Sequence, residues 1–408
     1  MHRENSRSLL GTFLAFAFTM FLLCVSAFGQ TESVVYTFTE GPDGGRPLAN
    51  LISDAAGNLY GTTIAGGIVN TNGGDGVVYE LSPATGGGWT ESVLYTFLGG
   101  SDGEVPICGL VFDAAGNLYG TTSAGGAHNL GTVFELSPVS GGGWTKSILF
   151  NFAGGASGAN PEGNLIFDAA GNLYGVTPFS GAHNQGTVFQ LVPASGGGWT
   201  ENVILTGTTT VGGTLTGLVF DNSGNLYVTA DGGGPSNGGA VYRLSYSGGG
   251  WRSGVIHYFL GGTEGFGPQG DLIFHAPNRL FGLSQIGGTY SLGTAFELTP
   301  GTGGLWNETT LFSFGANSRD PMYPAGPLTM GPAGQLYGVS GSGGAYGSGT
   351  AYELADVGGV WKQKVLYNFG LNVSGASPGL LLDSSGDLYG AAGTGGAFGA
   401  GGVFEITP

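Results

Sequence analysis

The chain has 408 residues, with 87 Gly, 18 Pro, a formal net charge of −17 and only 9% charged residues. Its 10 basic residues are too few and too scattered to neutralise phosphates, which argues against nucleic acid and anionic membranes as partners. Because 41% of the residues are hydrophobic, disorder driven by charge is excluded. At this level of Gly and Pro, the periodicity of the sequence decides the fold class.

The first element along the chain is an apolar segment at the N-terminus. Two arginines precede an apolar run that begins at Leu9, and small residues follow at Ala27 and Gly29. This order is typical of an export signal. We predict a signal peptide at residues 1–29 and a single domain at residues 30–408. An uncleaved anchor is the alternative, because the run is close to the length of a membrane span.

The next segment introduces a repeat. TESVVYTF at residues 31–38 returns as TESVLYTF at residues 90–97, inside a longer unit that contains a Trp and a GNLYG-type motif. The tryptophans recur every 52 or 55 residues, at Trp89, Trp144, Trp199, Trp251, Trp306 and Trp361. The GNLYG-type motifs begin at Gly57, Gly116, Gly171, Gly224, Asn278, Gly334 and Gly386. Seven units of about 54 residues account for the chain after the signal segment.

Each unit is predicted to form four strands, which we label a to d from the axis outward. In the second unit GLVFD, LYGTT, TVFELSP and WTKSILFNF alternate with turns rich in Gly, Asn and Asp. Gly116 can supply the left-handed residue that a tight hairpin in the DAAGN link requires. Several strands are apolar on both faces, as expected for sheets that are covered on both sides.

The incomplete ends of the repeat decide between a propeller and a solenoid. The seventh unit stops at GGVFEITP and lacks its strand d, and residues 31–38 have the sequence of that missing strand. We therefore predict an all-β, seven-bladed β-propeller with four strands per blade, closed by an N-terminal strand that completes the last blade. A solenoid would instead require atypical polar caps at its ends.

Ring side chains occur at equivalent places in the predicted loops between strands b and c. These loops share one face with the loops from strand d to the next strand a, and ligands of propellers usually bind there. Displayed around a central depression, aromatic side chains would suit stacking on sugar rings or on peptide aromatics. The alternative is that each ring covers its own Gly-rich turn. The candidate ligand-binding residues are His128, His183, Tyr290, Tyr346 and Phe398.

The sequence contains no recognisable catalytic or metal-binding motif. GxSxG, HExxH, CxxC and a phosphate-binding loop are absent. His128 and His183 occur in similar GAHN contexts, but neither loop has a further zinc ligand, so we predict no metal site. Calcium remains an option only through ligands pooled from different blades, such as the acids of the d-to-a loops. Cys108, alone after signal cleavage, is expected to be a buried residue without a disulfide.

Charged residues also recur within the predicted strands. Strand c carries a glutamate in five of the seven units, which is interpreted as a repeated polar contact between blades rather than a catalytic acid. The charges that follow each Trp, such as Glu91 and Lys146, are interpreted as protection of the exposed edge of strand d against pairing with other chains.

The combination of GxLVFDAAGNLYGTTSAGG, GTVFELSP and GGGWTESVLYTF resembles the GloVer tandem repeat of exported bacterial proteins described as choice-of-anchor. The resemblance covers nearly all of residues 31–408. The segment DxxGNLY is also similar to NHL repeats and to lactonase-like propellers. The GloVer resemblance implies an exported repeat protein and brings no catalytic residues with it.

These observations favour an exported, non-enzymatic propeller that binds an extracellular carbohydrate or protein through its loop face. A hydrolase or lactonase with metal-assisted acids around the axis is the first alternative, and a purely structural cell-envelope protein is the second. We expect a secreted, periplasmic or cell-surface monomer, without a cofactor and without membrane contact after signal cleavage.

Overall fold

The computed structural model describes residues 31–67, 74–208, 213–370 and 373–407, with side chains at all of these positions except 31, 32 and 373–378. Within these ranges the chain forms seven four-stranded antiparallel sheets, the blades of a β-propeller, together with three short 3-10 helices. No helix in the same ranges is long and apolar enough to cross a membrane. The predicted signal peptide lies outside the described residues.

The blades follow one another along the chain. Blade 1 contains β2 Ile52–Ser53, β3 Leu59–Thr63, β4 Val77–Pro83 and β5 Trp89–Thr96. Blade 2 contains β6 Val111–Phe112, β7 Leu118–Thr122, β8 Thr132–Pro138 and β9 Trp144–Asn151. Blade 3 contains β10 Ile166–Phe167, β11 Leu173–Thr177, β12 Thr187–Pro193 and β13 Trp199–Thr206. Blade 4 contains β14 Leu215–Phe220, β15 Leu226–Ala230, β16 Ala240–Ser247 and β17 Gly250–Tyr258.

The remaining blades repeat this order until the last, which takes three strands from the C-terminal part of the chain and one from the N-terminal part. Blade 5 contains β18 Phe266–His275, β19 Arg279–Ile286, β20 Thr294–Pro300 and β21 Trp306–Ser313. Blade 6 contains β22 Pro321–Met330, β23 Leu336–Gly343, β24 Thr350–Asp356 and β25 Trp361–Asn368. Blade 7 contains β26 Val373–Leu382, β27 Leu388–Gly395, β28 Gly402–Thr407 and β1 Thr31–Thr37. The 3-10 helices are η1 Gly100–Asp102, η2 Gly155–Ser157 and η3 Gly262–Glu264.

The hairpin between strands a and b explains why DxxGNLY recurs. Asp113 accepts hydrogen bonds from the backbone N–H groups of Ala115 and Asn117, from Asn117 Nδ2 and from the Tyr119 hydroxyl, at 2.8–3.2 Å. Gly116 has φ 88°, as the tight turn requires. Burial acts to raise the pKa of Asp113, but these hydrogen bonds outweigh it and hold the pKa below its ordinary value. The motif is therefore a structural cap.

Aromatic side chains fill the interfaces between blades. Phe97, which follows strand d of blade 1, packs edge-on against Phe134 of blade 2, with ring centroids 5.3 Å apart. At the start of strand d, Trp199 of blade 3 packs back onto Tyr119 of blade 2 at 6.4 Å. Each blade is thus covered on both faces, which explains why its inner strands are apolar on both sides.

The termini close the ring as the sequence predicts. Strand β1 pairs with β28, and the N–H of Phe38 donates to the carbonyl oxygen of Gly401 at 3.1 Å. Phe38 is fully buried and packs on Tyr79 of blade 1, with ring centroids 4.9 Å apart. In the next loop, the N–H of Arg46 donates to the carbonyl oxygen of Ala400 at 2.6 Å. A closed propeller is therefore confirmed, and the solenoid alternative is wrong.

The strand c glutamates do not form contacts between blades, so that prediction is wrong. The hydrogen bonds that they make stay within their own blade, as from Ser82 Oγ to Glu80 Oε1 at 2.9 Å. In blade 7, Ser33 Oγ donates to Glu405 Oε2 at 3.1 Å across the closing strand pair. The reason is geometric, because this position of strand c lies opposite the strand b tyrosine of the same sheet, as in the pair Tyr389 and Glu405.

Candidate binding surfaces

The two faces of the propeller are formed by different sets of loops. Isolated β-bridges join the d-to-a loops to the b-to-c loops, as between Glu104 and Ala124, and between Ala159 and Phe179. These two kinds of loop therefore share one side of the ring, which we call the loop face. The a–b hairpins and the c–d turns form the opposite side, which we call the hairpin face.

The five ring residues predicted from the sequence all lie on the loop face and are all exposed. The exposed fractions are 47% for Tyr290, 73% for Tyr346 and 66% for Phe398. His128 and His183 are exposed in the corresponding loops of blades 2 and 3. In the described ranges, no group of three His, Cys, Asp or Glu side chains is arranged to hold a metal ion.

The tips of these loops are attached to the outermost strand of their own blade. The N–H of Ala127, next to His128, donates to Asn151 Oδ1 at 2.8 Å, and the N–H of Ala345, next to Tyr346, donates to Asn368 Oδ1 at 2.7 Å. Strand d is the strand farthest from the axis, so the ring residues lie toward the rim of the loop face. They do not surround a central depression as expected.

A shallow cavity lies beside one of these ring residues. It has a volume of about 420 Å³ and is lined by Tyr290, Thr263, Thr289, Thr310 and Phe312, among others. The hydroxyl of Thr310 donates to the carbonyl oxygen of Thr263 at 3.0 Å, which fixes the loop that forms one wall. The lining of the cavity therefore combines aromatic rings with hydroxyl groups.

The axial cavity, of about 260 Å³, contains polar residues that the sequence analysis did not single out. Asp271 accepts hydrogen bonds from Leu218 N at 2.9 Å and from Asn164 Nδ2 at 2.7 Å. Burial raises the pKa of Asp271, although these two hydrogen bonds act in the opposite direction. Asn50 Oδ1 is buried and has no hydrogen-bond partner. Burial also raises the pKa of Glu162, which lines the same cavity.

Asn50, Asn164 and Asp271 share one place in the repeat, immediately before the leucine of strand a. Aligning the seven copies at that leucine could have found them, because the position varies among glycine, proline and polar residues instead of keeping one type. The seven residues at this place are Asn50, Gly109, Asn164, Gly217, Asp271, Pro327 and Gly379.

Cys108 lies near the axis and behaves as the sequence predicts. Its side chain is buried and forms no disulfide, and the Sγ lies 3.6 Å from the carbonyl oxygen of Pro161. Burial raises the pKa of the Cys108 thiol to about 12. The thiol is therefore protonated at neutral pH and is a poor nucleophile.

The acids of the d-to-a loops are engaged by their own loops. Asp102 accepts hydrogen bonds from Leu98 N at 3.0 Å and from the Tyr95 hydroxyl at 2.8 Å, and Asp43 accepts from Thr39 N at 3.0 Å. Glu264 likewise accepts from Leu260 N at 2.9 Å. Each carboxylate thus closes its loop, and pooling of these acids as calcium ligands stays an untested prediction.

Two of the charges that follow the tryptophans lie between blades, which corrects the prediction that they protect a sheet edge. Lys146 Nζ lies 3.0 Å from Asp102 Oδ1, and only 3% of the Lys146 side chain is exposed. Burial, with the nearby Asp43, raises the pKa of Glu91 to about 7. The alternation of strand d points these side chains toward the preceding d-to-a loop instead of toward solvent.

The repeated sequence and the fold both have counterparts among known proteins. A family model described as the Gloeobacter/Verrucomicrobia repeat matches residues 19–213, 68–273 and 214–408, which confirms the resemblance noted from the repeated blocks. No curated protein sequence matches this chain significantly.

Among solved structures, PorZ, an essential bacterial surface component of the type-IX secretion system of Porphyromonas gingivalis, is similar with a TM-score of 0.52 and 14% identity. The match covers 89% of this chain and 46% of PorZ, so the chain spans less than half the length of that protein. At this identity the likeness concerns the fold alone.

Two further structures are similar at lower TM-scores. A putative gluconolactonase has a TM-score of 0.41 and 17% identity, over 78% of this chain and 91% of its own. The aldose sugar dehydrogenase of Streptomyces coelicolor, solved in its PQQ-bound form, has a TM-score of 0.43 and 13% identity, over 92% of this chain and 98% of its own.

Proposed function

This chain belongs to the Gloeobacter/Verrucomicrobia repeat family, and from that premise we propose that it is an exported, non-enzymatic β-propeller that binds an extracellular macromolecule through its loop face. Export rests on the N-terminal sequence, in which arginines precede an apolar run and small residues. A protein with such a signal is exported to the cell surface, the periplasm or the medium.

One observation supports binding at the loop face above all others. Tyr290, Tyr346 and Phe398 hold equivalent places in blades 5, 6 and 7, and each exposes about half or more of its side chain. Exposed aromatic rings offer a large contact area for a small loss of side-chain entropy. Tyrosine and phenylalanine are also enriched in protein interfaces relative to the rest of the surface.

Other apolar side chains extend this surface and favour a protein as the ligand. Leu98, Phe179 and Leu260 are exposed in loops of the same face, and Tyr323 is exposed near the start of β22. Separate apolar groups spread over one face match a broad partner surface better than they match one sugar chain, which contacts a narrow strip. A carbohydrate polymer is the other outcome of the test.

The test replaces the three aromatic side chains and measures adsorption of the protein to the extracellular material of the bacterium that produces it. We expect Tyr290→Ala, Tyr346→Ala and Phe398→Ala together to weaken adsorption at least tenfold. Leu305→Ala, Val357→Ala and Val360→Ala, which alter exposed residues of the c–d turns, serve as the matched control. Equal adsorption by both triple variants would contradict the proposal. Loss of adsorption after protease treatment identifies a protein ligand, and loss after glycosidase treatment a carbohydrate.

An axial hydrolase is the second candidate, supported by the raised pKa values of Asp271 and Glu162. A hard cation such as Ca²⁺ takes about six to eight oxygen ligands. The axial cavity offers two carboxylates and the unpartnered Asn50 Oδ1, and both Asp271 oxygens already accept hydrogen bonds from the protein. The residues present thus fit a cation only in part.

The hydrolase candidate is tested by incubating the full chain with simple lactones and esters, with Ca²⁺ and with a chelator. Activity that is lost in the chelator and in Asp271→Asn would establish the axial site as catalytic. Turnover that is equal in Asp271→Asn, or no turnover under either condition, would contradict this candidate.

A further inference from the structure

We propose that the cleft between blades 3 and 4 on the hairpin face is a binding site for an uncharged glycan. It is a cavity of about 710 Å³ lined by aromatic and amide side chains. Ligand pockets usually have volumes of about 300–1,000 Å³, with mostly apolar walls and a few placed polar groups. This site lies on the side opposite the loop face and does not depend on the function proposed for that face.

The cleft departs from the repeat at the residues that line it. Tyr246 pairs with Trp251 at the end of strand c, where Pro138 and Pro193 pair with the corresponding tryptophans of blades 2 and 3. Gln190 replaces the strand c glutamate that five other blades carry. Asn222 stands where the first three hairpins have alanine. These changes exchange a proline, an acid and a methyl group for an aromatic ring and two amides.

Tyr246 forms an aromatic wall that is open to solvent. Its side chain is 63% exposed and meets the Trp251 ring edge-on, with centroids 5.6 Å apart. On its other side Trp251 packs against Tyr174 at 5.9 Å, which fixes the indole. The indole Nε1 has no hydrogen-bond partner. The exposed face of the Tyr246 ring, which rests against the packed indole, offers the flat apolar surface on which the C–H groups of a pyranose pack.

The polar groups in the cleft carry no free charge. Gln190 Nε2 donates to the Tyr174 hydroxyl at 2.6 Å, and Asn202 Nδ2 donates to Gln190 Oε1 at 3.3 Å. An amide both donates and accepts, so it can pair with neighbouring sugar hydroxyls, which also do both. A carboxylate could only accept.

The two aspartates that line the cleft are engaged within their own hairpins. Asp168 accepts hydrogen bonds from Asn172 Nδ2 and the Tyr174 hydroxyl, both at 2.8 Å, and Asp221 accepts from Asn225 Nδ2 at 2.7 Å. Burial acts to raise the pKa of each aspartate, but the hydrogen bonds outweigh it and lower the pKa. These hydrogen bonds occupy the oxygens of both aspartates, so neither is free to pair with a cationic ligand, and their negative charge disfavours an anionic one.

The neighbouring cleft between blades 2 and 3 serves as an internal comparison. It has a similar volume of about 550 Å³ and is lined by Pro193 and Trp199 together with Ala114, Ala115 and Ala169. No amide side chain lines it. The two clefts share Phe167, Asp168 and Ala169, but Pro193 lines only the second cleft, so a variant at Pro193 changes the same face without altering a residue that lines the proposed site.

The experiment is affinity electrophoresis of the full chain in gels that contain a neutral β-glucan, a neutral galactomannan or the polyanion alginate. We expect retardation by at least one neutral glycan and none by alginate. Tyr246→Ala should weaken the binding about tenfold, the effect of losing one stacked ring. Gln190→Glu, which restores the residue of the other blades, should weaken it as well. Pro193→Ala should bind like the natural protein.

Further controls separate this proposal from folding effects and from the loop face. Tyr246 is exposed, so Tyr246→Ala should keep the melting temperature within about two degrees. The loop-face triple variant should bind the glycan normally. No retardation by either neutral glycan, retardation by alginate alone, undiminished binding by Tyr246→Ala, or loss of binding in the loop-face variant would each overturn the proposal.

Discussion

The ammonium group of Lys146 lies 3.0 Å from the carboxylate of Asp102, in the interface where blade 2 meets the loop that leaves blade 1. The same ammonium lies 4.8 Å from the centre of the Phe97 ring and 5.2 Å from that of Tyr95. Burial lowers the pKa of Lys146, and Asp102 opposes this shift. The interface between blades 1 and 2 thus contains an ion pair in which the two opposite charges compensate each other.

Removing this lysine should destabilise the protein strongly. Lys146→Ala leaves the Asp102 carboxylate in the interface without its cation, and breaking a buried pair in this way costs about 3–5 kcal/mol. Because Asp102 keeps some contact with water, we expect the lower part of that range. Lys362→Ala, which alters an exposed lysine of strand d in blade 6, should change the free energy of unfolding by less than about 0.5 kcal/mol. Urea denaturation of both variants checks the prediction.

In the interface between blades 7 and 1, Glu91 occupies the place in strand d that Lys146 holds in the next interface. This acid should make the stability of the protein depend on pH. Glu91 faces Asp43 together with Tyr36 and Tyr79, and burial followed by Asp43 raises its pKa from 4.5 to about 7. The folded state therefore holds the proton more tightly than the unfolded state. This contribution to stability is complete below about pH 4.5 and is lost as the pH rises through about 7.

We expect Glu91→Gln to flatten the pH profile between pH 4.5 and 7, and Glu91→Lys to raise the melting temperature at pH 8 by recreating the pair of Lys146 with Asp102. Glu308, whose pKa burial also raises to about 7, should retain a part of the pH dependence in both variants. Thermal melts from pH 4 to pH 8 measure these effects. Superimposable profiles of melting temperature against pH for Glu91→Gln and the natural protein would contradict the prediction.

The closing interface should be as strong as an internal one. Phe38 packs on Tyr79 at 4.9 Å between blades 7 and 1, and Phe152 packs on Phe189 at 5.2 Å between blades 2 and 3. Both phenylalanines are fully buried. We expect Phe38→Ala and Phe152→Ala to cost similar amounts, about 3–5 kcal/mol each. A much smaller cost at Phe38 would show that the closure contributes little.

Deleting residues 31–38 should have a larger effect, because it also exposes the edge of β28. Unpaired backbone groups along Gly402–Thr407 are a template for pairing with another chain. We expect a strongly lowered melting temperature together with association visible by light scattering. A truncated protein that stays monomeric and melts within a few degrees of the natural one would contradict a role of β1 in closing the ring.

Glycines of the repeat should differ sharply in their tolerance of a side chain. A Cβ on Gly131 would lie 2.7 Å from Pro161 Cδ of the next blade and would also meet the Thr122 carbonyl oxygen, whereas a Cβ on Gly142 meets nothing within 4 Å. Both residues have positive φ, which costs alanine about 1 kcal/mol. Gly131→Ala should therefore destabilise by several kcal/mol, and Gly142→Ala by about 1 kcal/mol. Equal melting temperatures for the two variants would contradict this.

From the sequence alone one could determine the number of blades, the four strands of each and the closure by β1. These follow from a long period in which every copy carries the same strands and turns, and from residues 31–38 matching the strand that the last copy lacks. The exposure of the histidine and aromatic side chains in the b-to-c loops could also be predicted from the repeat. Their position toward the rim could not, because it depends on hydrogen bonds such as the one between Ala127 and Asn151.

Only the tertiary structure decided where single substitutions in the repeat matter. Lys146 and Glu91 occupy the same place in strand d, and the ring brings each to the equivalent aspartate of the preceding loop, so that Lys146 forms an ion pair with Asp102 whereas Glu91 meets the like charge of Asp43. In the same way, Asn164 meets Asp271, 107 residues farther along the chain, only because the ring brings their strands to the axis. The repeated sequence determines the strands and turns of each blade. The contacts between blades combine side chains from different copies, so their ion pairs and hydrogen bonds are determined only by the closed ring.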